Sequence, residues 1–454
     1  MKLLYVLHRF LPRFFSGTET YTYQLAQEMQ QRGHGVQIFC ADEIKGGPDY
    51  RIKVQEGVYN SLKIYRINFN REKTPDIIGF SYDNPMVAEH FDSFLSRTRP
   101  DLVHITSFQY LSASIIDPIK SLSIPVVFTA TDYWCFCPKS NLLAFDSSLC
   151  KAAEVKKCIS CLICISSFYA RGLKKLNIPP SVLAETFLLV GKVPGLKKNK
   201  FFQGKEALEK RSTFILEKLK NLDLIITPTP NLQEYFLNSG LSPKKIMLSG
   251  YGFNSDWIKQ PSHYIRKQEP LRFGYIGMLA QMKGVDILIR SFNRFSPSEQ
   301  AHLKIYGDDS HFPSYVQQLK KLAQHNPNIS FMETFPPDKL GKILAKIDVL
   351  IVPSLWYENA PTVILGAFAA GIPVVGSDVP GISFLVKDEV NGLLFARGDT
   401  QALTRCLARL LQEPDLLPKL RKNVPEVKSI EENGNELEII YHKLINDNKH
   451  HHQQ

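Results

Sequence analysis

The run Asp348-Val349-Leu350-Ile351-Val352-Pro353-Ser354-Leu355-Trp356-Tyr357-Glu358-Asn359-Ala360-Pro361-Thr362-Val363-Ile364-Leu365-Gly366 continues to Gly371 and then into Ile372-Pro373-Val374-Val375. The apolar stretch ending at Pro353 predicts a buried parallel strand, and Pro361 followed by good helix formers predicts a helix with proline in its first turn. Gly371 stops that helix, and Ile372–Val375 predicts the next buried strand. The connecting loop, Ser354 to Ala360, therefore stands at the carboxyl end of a parallel sheet, where open α/β sheets bind ligands. It offers Glu358 as an exposed carboxylate beside the backbone N–H groups of Ala360 to Val363, which suit an anion. A carboxylate beside an anion site suits a sugar joined to a diphosphate; the alternative is that Glu358 and Asn359 only cap a helix.

This stretch resembles the donor-site signature of the family 4 glycosyltransferases, retaining enzymes with the GT-B fold. The resemblance implies two glutamates eight positions apart, the first contacting the transferred sugar and the second the ribose of the nucleotide. Glu358 stands at the first position. Gly366 stands at the second, so no carboxylate is available there for ribose. Read alone, the glycine leaves a gap that Gly366→Glu would fill, tightening nucleotide binding and favouring the helix.

At 454 residues and 44% hydrophobic content the chain has material for two or three globular domains. The start, Met1-Lys2-Leu3-Leu4-Tyr5-Val6-Leu7-His8-Arg9, loses its apolar run too early for a secretory signal, and no other stretch predicts a membrane span. The expectation is a cytoplasmic protein able to sit on the inner face of a membrane. A net charge of +11 calls for an acidic partner: anionic lipid, nucleotide phosphate or nucleic acid. No zinc-finger, helix-turn-helix or RNP pattern accompanies the charge, which disfavours nucleic acid.

Along the chain, residues 2–7 predict a first strand, Ser16-Gly17-Thr18-Glu19 opens a helix that Gly33 ends, and Val36–Cys40 predicts a second strand. One glycine in the first loop argues against a nicotinamide fingerprint. The resemblance instead puts Gly17 and Thr18 near the donor phosphates, with an ordinary helix cap as the alternative. Strands at Asp101–Thr106 and Pro125–Ala130 follow, the second leading into Thr131-Asp132-Tyr133-Trp134. Relatives often carry His-Asp here; the resemblance makes Thr131 and Asp132 catalytic candidates beside Glu358. A threonine hydroxyl donates a hydrogen bond but cannot carry the positive charge of a histidine.

Six of the eight cysteines fall between Cys135 and Cys164. Cys137, Cys150, Cys158 and Cys161 have the spacing C-x12-C-x7-C-x2-C, whose CxxC pair is a common half of a zinc site. Three readings stay open: a structural zinc, buried free thiols, or an iron–sulfur cluster. From Ser166 to Lys220 the chain turns helical and basic, with Lys174-Lys175-Leu176 and Leu196–Phe202 suited to an anionic membrane surface or to a solvated face.

Strands at Asp223–Thr227 and Lys245–Ser249 close the first domain, and the polar segment Asn254–Glu269 reads as a linker. A second alternation begins with the strand Leu271–Ile276 and the loop Gly277-Met278-Leu279-Ala280-Gln281-Met282-Lys283-Gly284. The family clasps the donor diphosphate with an arginine and a lysine from this loop. Lys283 matches the lysine, and Met278 lies where the arginine is usual. Further strands at Leu303–Tyr306 and Ile329–Met332, the turn and strand Asn391–Phe395, and helices at Thr400–Leu411 and Leu437–Leu444 complete the pattern.

The fold expected is α/β: two Rossmann-like domains facing a cleft, with a cysteine-rich helical insertion over about 133–220. The domains run 1–258 for the acceptor and 259–430 for the nucleotide-sugar, with a crossover helix and disordered tail over 431–454. The activity expected is retaining transfer of a hexose from a nucleotide-sugar to a glycan or lipid-linked acceptor. Donor binding falls to Gly17, Thr18, Lys283, Tyr357, Asn359, Ala360, Pro361 and Thr362. No catalytic metal is expected, and zinc would be structural only. Two alternatives are a degenerate GT-B protein that binds a sugar or partner without turnover, and a metal or redox protein centred on the cysteines.

Overall fold

The computed structural model describes residues 1–43, 49–165, 179–190, 200–258, 270–296 and 300–451. The chain divides into two compact units. One comprises Met1–Phe14, Ala26–Ser249 and Asn435–Gln454; the other comprises Phe15–Leu25 and Gly250–Gly434. Each is built on one mainly parallel sheet with helical crossovers.

The first unit holds β1 (Lys2–His8), β2 (Gly35–Glu43), β3 (Lys53–Tyr59), β4 (Leu62–Phe69), β5 (Leu102–Ile105), β6 (Val126–Thr129), β7 (Leu224–Thr227) and β8 (Ile246–Leu248). Their order in the sheet is β3-β4-β2-β1-β5-β6-β7-β8. The central strands are apolar on both faces because crossover helices cover both sides; in β1, Leu3 to Leu7 are all buried. Only β3 runs antiparallel, paired with β4 through a two-residue turn at Asn60 and Ser61. Both turn residues have positive φ, 45° and 68°, the conformation that matches hairpin twist. This hairpin was absent from the sequence reading: β3, KVQEGVY, is an exposed edge strand with no apolar run.

The last helix, Ile430–His451, extends well past Leu444 at the expense of the expected tail. Its Tyr441 hydroxyl meets Tyr5 (3.3 Å) and Nδ1 of His104 (2.5 Å), while the other His104 nitrogen meets Thr129 Oγ1 (2.8 Å). Burial lowers the His104 pKa to about 3, so the imidazole sits neutral among these hydroxyls.

The second unit holds β9 (Leu271–Ile276), β10 (Ala301–Tyr306), β11 (Ile329–Met332), β12 (Val349–Val352), β13 (Val374–Ser377) and β14 (Gly392–Phe395), all parallel, in the order β11-β10-β9-β12-β13-β14. Helices Val285–Phe292 and Thr400–Gln412 press Leu288, Ile289, Leu403 and Leu407 onto Phe273, Ile305 and Ile351. Each such fully buried side chain contributes about 1.5–3 kcal/mol. The strand order reverses between β9 and β12, so the chain continues from these two neighbours toward opposite edges of the sheet, the switch point at whose carboxyl end such sheets bind ligands.

The expected insertion is described in part: helices Val155–Ile165, Pro180–Val190 and Lys200–Lys220 lie in this region. Arg211 on the third is fully buried and donates to the carbonyls of Trp134 and Cys135, with its guanidinium 5.0 Å over the Trp134 ring. Lys174–Leu176, residues 196–199 and linker residues 259–269 lie outside the described residues, and of Lys200–Phe202 only the backbone is described.

Candidate active site

The loops after β9 and β12 are drawn together by their backbones before any side chain is considered. Gly284 has φ of +67°, and a Cβ there would lie 2.0 Å from the Pro353 carbonyl oxygen. Only glycine serves such a left-handed position with another backbone so close. Leu355 N–H then donates to the Met282 carbonyl at 2.8 Å. Glycine is needed again at Gly381, where a Cβ would meet the Glu358 carbonyl oxygen at 2.0 Å.

This framework brings Lys283 and Glu358 into direct contact. Lys283 Nζ donates to Glu358 Oε1 at 2.7 Å, and the same oxygen accepts from Ser354 Oγ (2.5 Å) and Trp356 Nε1 (2.8 Å). The ammonium also stands 4.9 Å over the Trp356 ring. Glu358 is only 4% exposed. The carboxylate read from the sequence as exposed is therefore buried, because its loop folds back and surrounds it with three donors. A buried charge needs such partners, and removing one is costly. Burial and the Glu358 charge together hold the nearby Tyr275 phenol well above its ordinary pKa, keeping it neutral; its hydroxyl donates to the Met278 carbonyl at 2.8 Å.

A helix starts shortly after Glu358 in the chain, and a second helix starts against it. Thr362–Ala369 begins after Pro361, and no side chain caps its amino end. Gly17–Gln31 starts beside it: a Cβ on Gly17 would lie 3.5 Å from Thr362 Oγ1. Ser16 donates to Glu19 there, closing the first turn. Asn359 Nδ2 donates to Tyr251 OH (3.2 Å), Tyr251 lies 4.5 Å from the Tyr21 ring, and Tyr21 OH donates to Asn433 Oδ1 (3.1 Å). Gly17, Thr18, Lys283, Tyr357, Glu358, Asn359, Ala360, Pro361 and Thr362 thus all belong to the second unit. Ser354, Trp356, Tyr251, Tyr21 and Asn433 were not singled out from the sequence. The first two lie inside the quoted loop, and an oxygen or N–H donor near an isolated acid was the available signal.

Gly366 does not face a gap. It is buried, and a Cβ would lie 2.9 Å from Leu340 Cδ2 and 3.3 Å from Phe253 Cζ. Its neighbours already occupy the space that the sequence reading reserved for a carboxylate.

Thr131 and Asp132 belong to the first unit. Thr131 Oγ1 donates to the Thr106 carbonyl at 2.7 Å, which ties the hydroxyl into the chain turn. Asp132 accepts from Trp134 N–H and from Gln109 Nε2, both at 2.7 Å. Burial raises its pKa against the opposing effect of those hydrogen bonds.

The cysteines are all free thiols. Cys137, Cys150, Cys158 and Cys161 line one small cavity of about 20 Å³, so the four share a neighbourhood. Among the described residues, however, no group of three or more His, Cys, Asp or Glu side chains is placed to hold a metal ion. The donor set suits zinc in type, but its arrangement gives the zinc and iron–sulfur readings no support. Burial pushes the Cys158 thiol up to about 12 and raises Cys150 and Cys161 as well, with neighbouring cysteines adding to the rise. A raised pKa favours the thiol over the nucleophilic thiolate. No helix among the described residues is long and apolar enough to cross a membrane.

Comparison with known proteins agrees with this architecture. Residues 15–184 match the model for Glycosyltransferase Family 4, and residues 270–413 match that for Glycosyl transferases group 1. The glycosyltransferase YtcC of Bacillus subtilis (strain 168) is 28% identical over 248 residues, covering 50% of this chain and 58% of that relative's length. Among solved structures, sucrose-phosphate synthase from Thermosynechococcus elongatus aligns with a TM-score of 0.66 at 17% identity, over 98% of this chain and 100% of its own. Anabaena HepE, solved in complex with UDP and glucose, aligns with a TM-score of 0.64 at 16% identity, over 97% and 99% of the two chains. The fold is thus GT-B, and with a family model matched in each half, the chain belongs to the family 4 glycosyltransferases.

Proposed function

We propose that the protein transfers a hexose from a nucleotide-sugar to a glycan or lipid-linked acceptor with retention of configuration. The observation that carries this reading is the Lys283–Glu358 pair at the β9/β12 switch point, in the loop that leads into the helix Thr362–Ala369. In this reading the donor diphosphate takes Lys283 as its counter-charge, joined by the N–H groups opening Thr362–Ala369. Glu358, losing part of its hold on Lys283, turns its carboxylate to the sugar hydroxyls. The sugar–phosphate bond breaks, the nucleoside diphosphate leaves with the electron pair, and the acceptor oxygen forms the new glycosidic bond as its proton passes to the departing phosphate oxygen. The complex of HepE with UDP and glucose supports a uridine nucleotide as the first donor to try. The net charge of +11 supports docking on an anionic membrane surface when the acceptor is lipid-linked.

A thermal-shift screen of UDP-, GDP- and ADP-sugars, followed by NMR of the product anomer, tests the reading. A raised midpoint with one nucleotide-sugar and a product of unchanged anomeric configuration are expected. Absence of any shift or turnover across the set would instead favour a binding module without transfer.

A further inference from the structure

The first unit carries a second candidate site, set apart by the charge of its lining. A cavity of about 130 Å³ opens among the loops that follow β4, β5 and β6. One water needs about 10–15 Å³ of such volume, so the cavity is roomy enough for a terminal sugar group. Arg71 and Lys139 contribute cations, Tyr110 and Trp134 contribute aromatic side chains, and Asn84 and Gln109 contribute amides. Among the described residues no carboxylate lines it.

The positions of these groups are fixed from behind. Arg71 lies with its guanidinium 4.7 Å over the Tyr110 ring. Lys139 spends one N–H on the Leu143 carbonyl at 2.9 Å, leaving the other donors of its ammonium for a guest. Trp134 is held by the buried Arg211, and Gln109 is oriented by its bond to Asp132. Two cations and amide groups, with no described acid to neutralise them, match a sugar bearing a negative charge. Guanidinium and ammonium take the anion, and the amides take sugar hydroxyls.

We propose that this cavity binds the anionic end of the acceptor, a sugar carrying a carboxylate or a phosphate. The inference rests on the sugar-transfer reading above for its meaning but not for its test, because binding here is measured without a donor. Calorimetric titration of the full chain would use three probes: a disaccharide ending in glucuronic acid, a short-chain prenyl diphosphate-linked monosaccharide, and uncharged cellobiose. UDP binding, titrated in parallel on the same preparations, reports separately on the donor site. At least one charged probe should bind, and at least tenfold more tightly than cellobiose. Which of the two binds identifies the source of the anion, uronic acid or lipid diphosphate.

Arg71→Gln and Lys139→Gln should each weaken the charged probe at least tenfold while leaving UDP affinity within twofold. Lys139→Arg should restore most of it. If Lys139→Gln proves poorly folded by its thermal midpoint, Arg71→Gln and the Lys139→Arg rescue carry the test alone. Equal binding of charged and uncharged probes, no binding of any probe by a chain that binds UDP, or indifference to both substitutions would each overturn the proposal. A chain that binds the charged probe but no nucleotide would leave the cavity assigned and remove the transfer reading.

Discussion

The loops at the carboxyl ends of the two sheets handle charge in opposite ways. In the second unit, cation and carboxylate satisfy each other: Lys283 and Glu358 lie 2.7 Å apart, with Ser354 and Trp356 completing the acid. In the first, Arg71 and Lys139 face a cavity that no described carboxylate lines, and the nearby acid, Asp132, is turned away onto Gln109 and the Trp134 backbone. A closed pair of charges is stable when empty and must be partly opened by its ligand. A cavity with an excess of one charge is open, and its preferred guest carries the opposite sign. The contrast implies that a variant in the second unit changes stability and function together, whereas one in the first can change binding alone.

The largest effect is expected where the closed pair is broken from its cationic side. Lys283→Met leaves a carboxylate that is 4% exposed without its counter-charge, so the fold should lose about 3 kcal/mol and turnover should fall at least a hundredfold. Denaturant melts and single-turnover kinetics measure both. Loss of turnover at full stability would mean that the pair is not a closed one.

Gly366→Glu comes next. The sequence reading expects it to tighten nucleotide binding, whereas the Leu340 and Phe253 contacts mean that it forces an acid into occupied apolar space. A loss of about 2–3 kcal/mol is expected despite the roughly 1 kcal/mol helix gain over glycine. A stable variant that binds UDP more tightly would restore the original reading.

The smallest effect belongs to Asp132→Asn. The raised pKa of Asp132 means that the folded chain holds its proton more tightly than the unfolded chain. The stability this confers is complete below the ordinary aspartate value of about 3.9 and is lost as pH rises through the folded value. Asparagine does not ionise, so the variant should match or slightly exceed the parent near pH 8 and gain nothing near pH 3.5. Melting curves at the two pH values decide it, and a variant that is less stable only at high pH would reverse the sign.

The parallel strands were legible because each is an apolar run flanked by turn residues. Asp348–Val352 and Leu271–Ile276 show this, and β12 and β9 lie at those positions. The loop residues Lys283 and Glu358 were legible from their place just after such strands. Their contact was not, because it depends on the close approach of Gly284 to Pro353, which joins residues far apart in the chain. Exposure of Glu358 was misjudged for the same reason. Gly366 was read by what it lacks, and only its neighbours Leu340 and Phe253 reveal that the space is full. The β3–β4 hairpin escaped because its edge strand is polar and its turn is Asn-Ser, without the glycine that usually marks one. The cysteine spacing identified four residues that do share a cavity, but spacing alone carries no information on the sulfur positions that a metal requires.

The central claim is that Glu358 acts on the sugar while Lys283 and the helix amino termini hold the diphosphate. It is tested most directly by titrating UDP and measuring turnover in Glu358→Gln, using the nucleotide-sugar found by the screen. Glutamine keeps the size of the side chain and its carbonyl oxygen can still accept from Ser354, Trp356 and Lys283, but without the negative charge it holds Lys283 more weakly. UDP affinity within about twofold of the parent or tighter, with kcat lowered at least tenfold, equivalent to about 1.4 kcal/mol, is the expected result. Unchanged kcat, or UDP binding lost together with turnover in a folded variant, would contradict it.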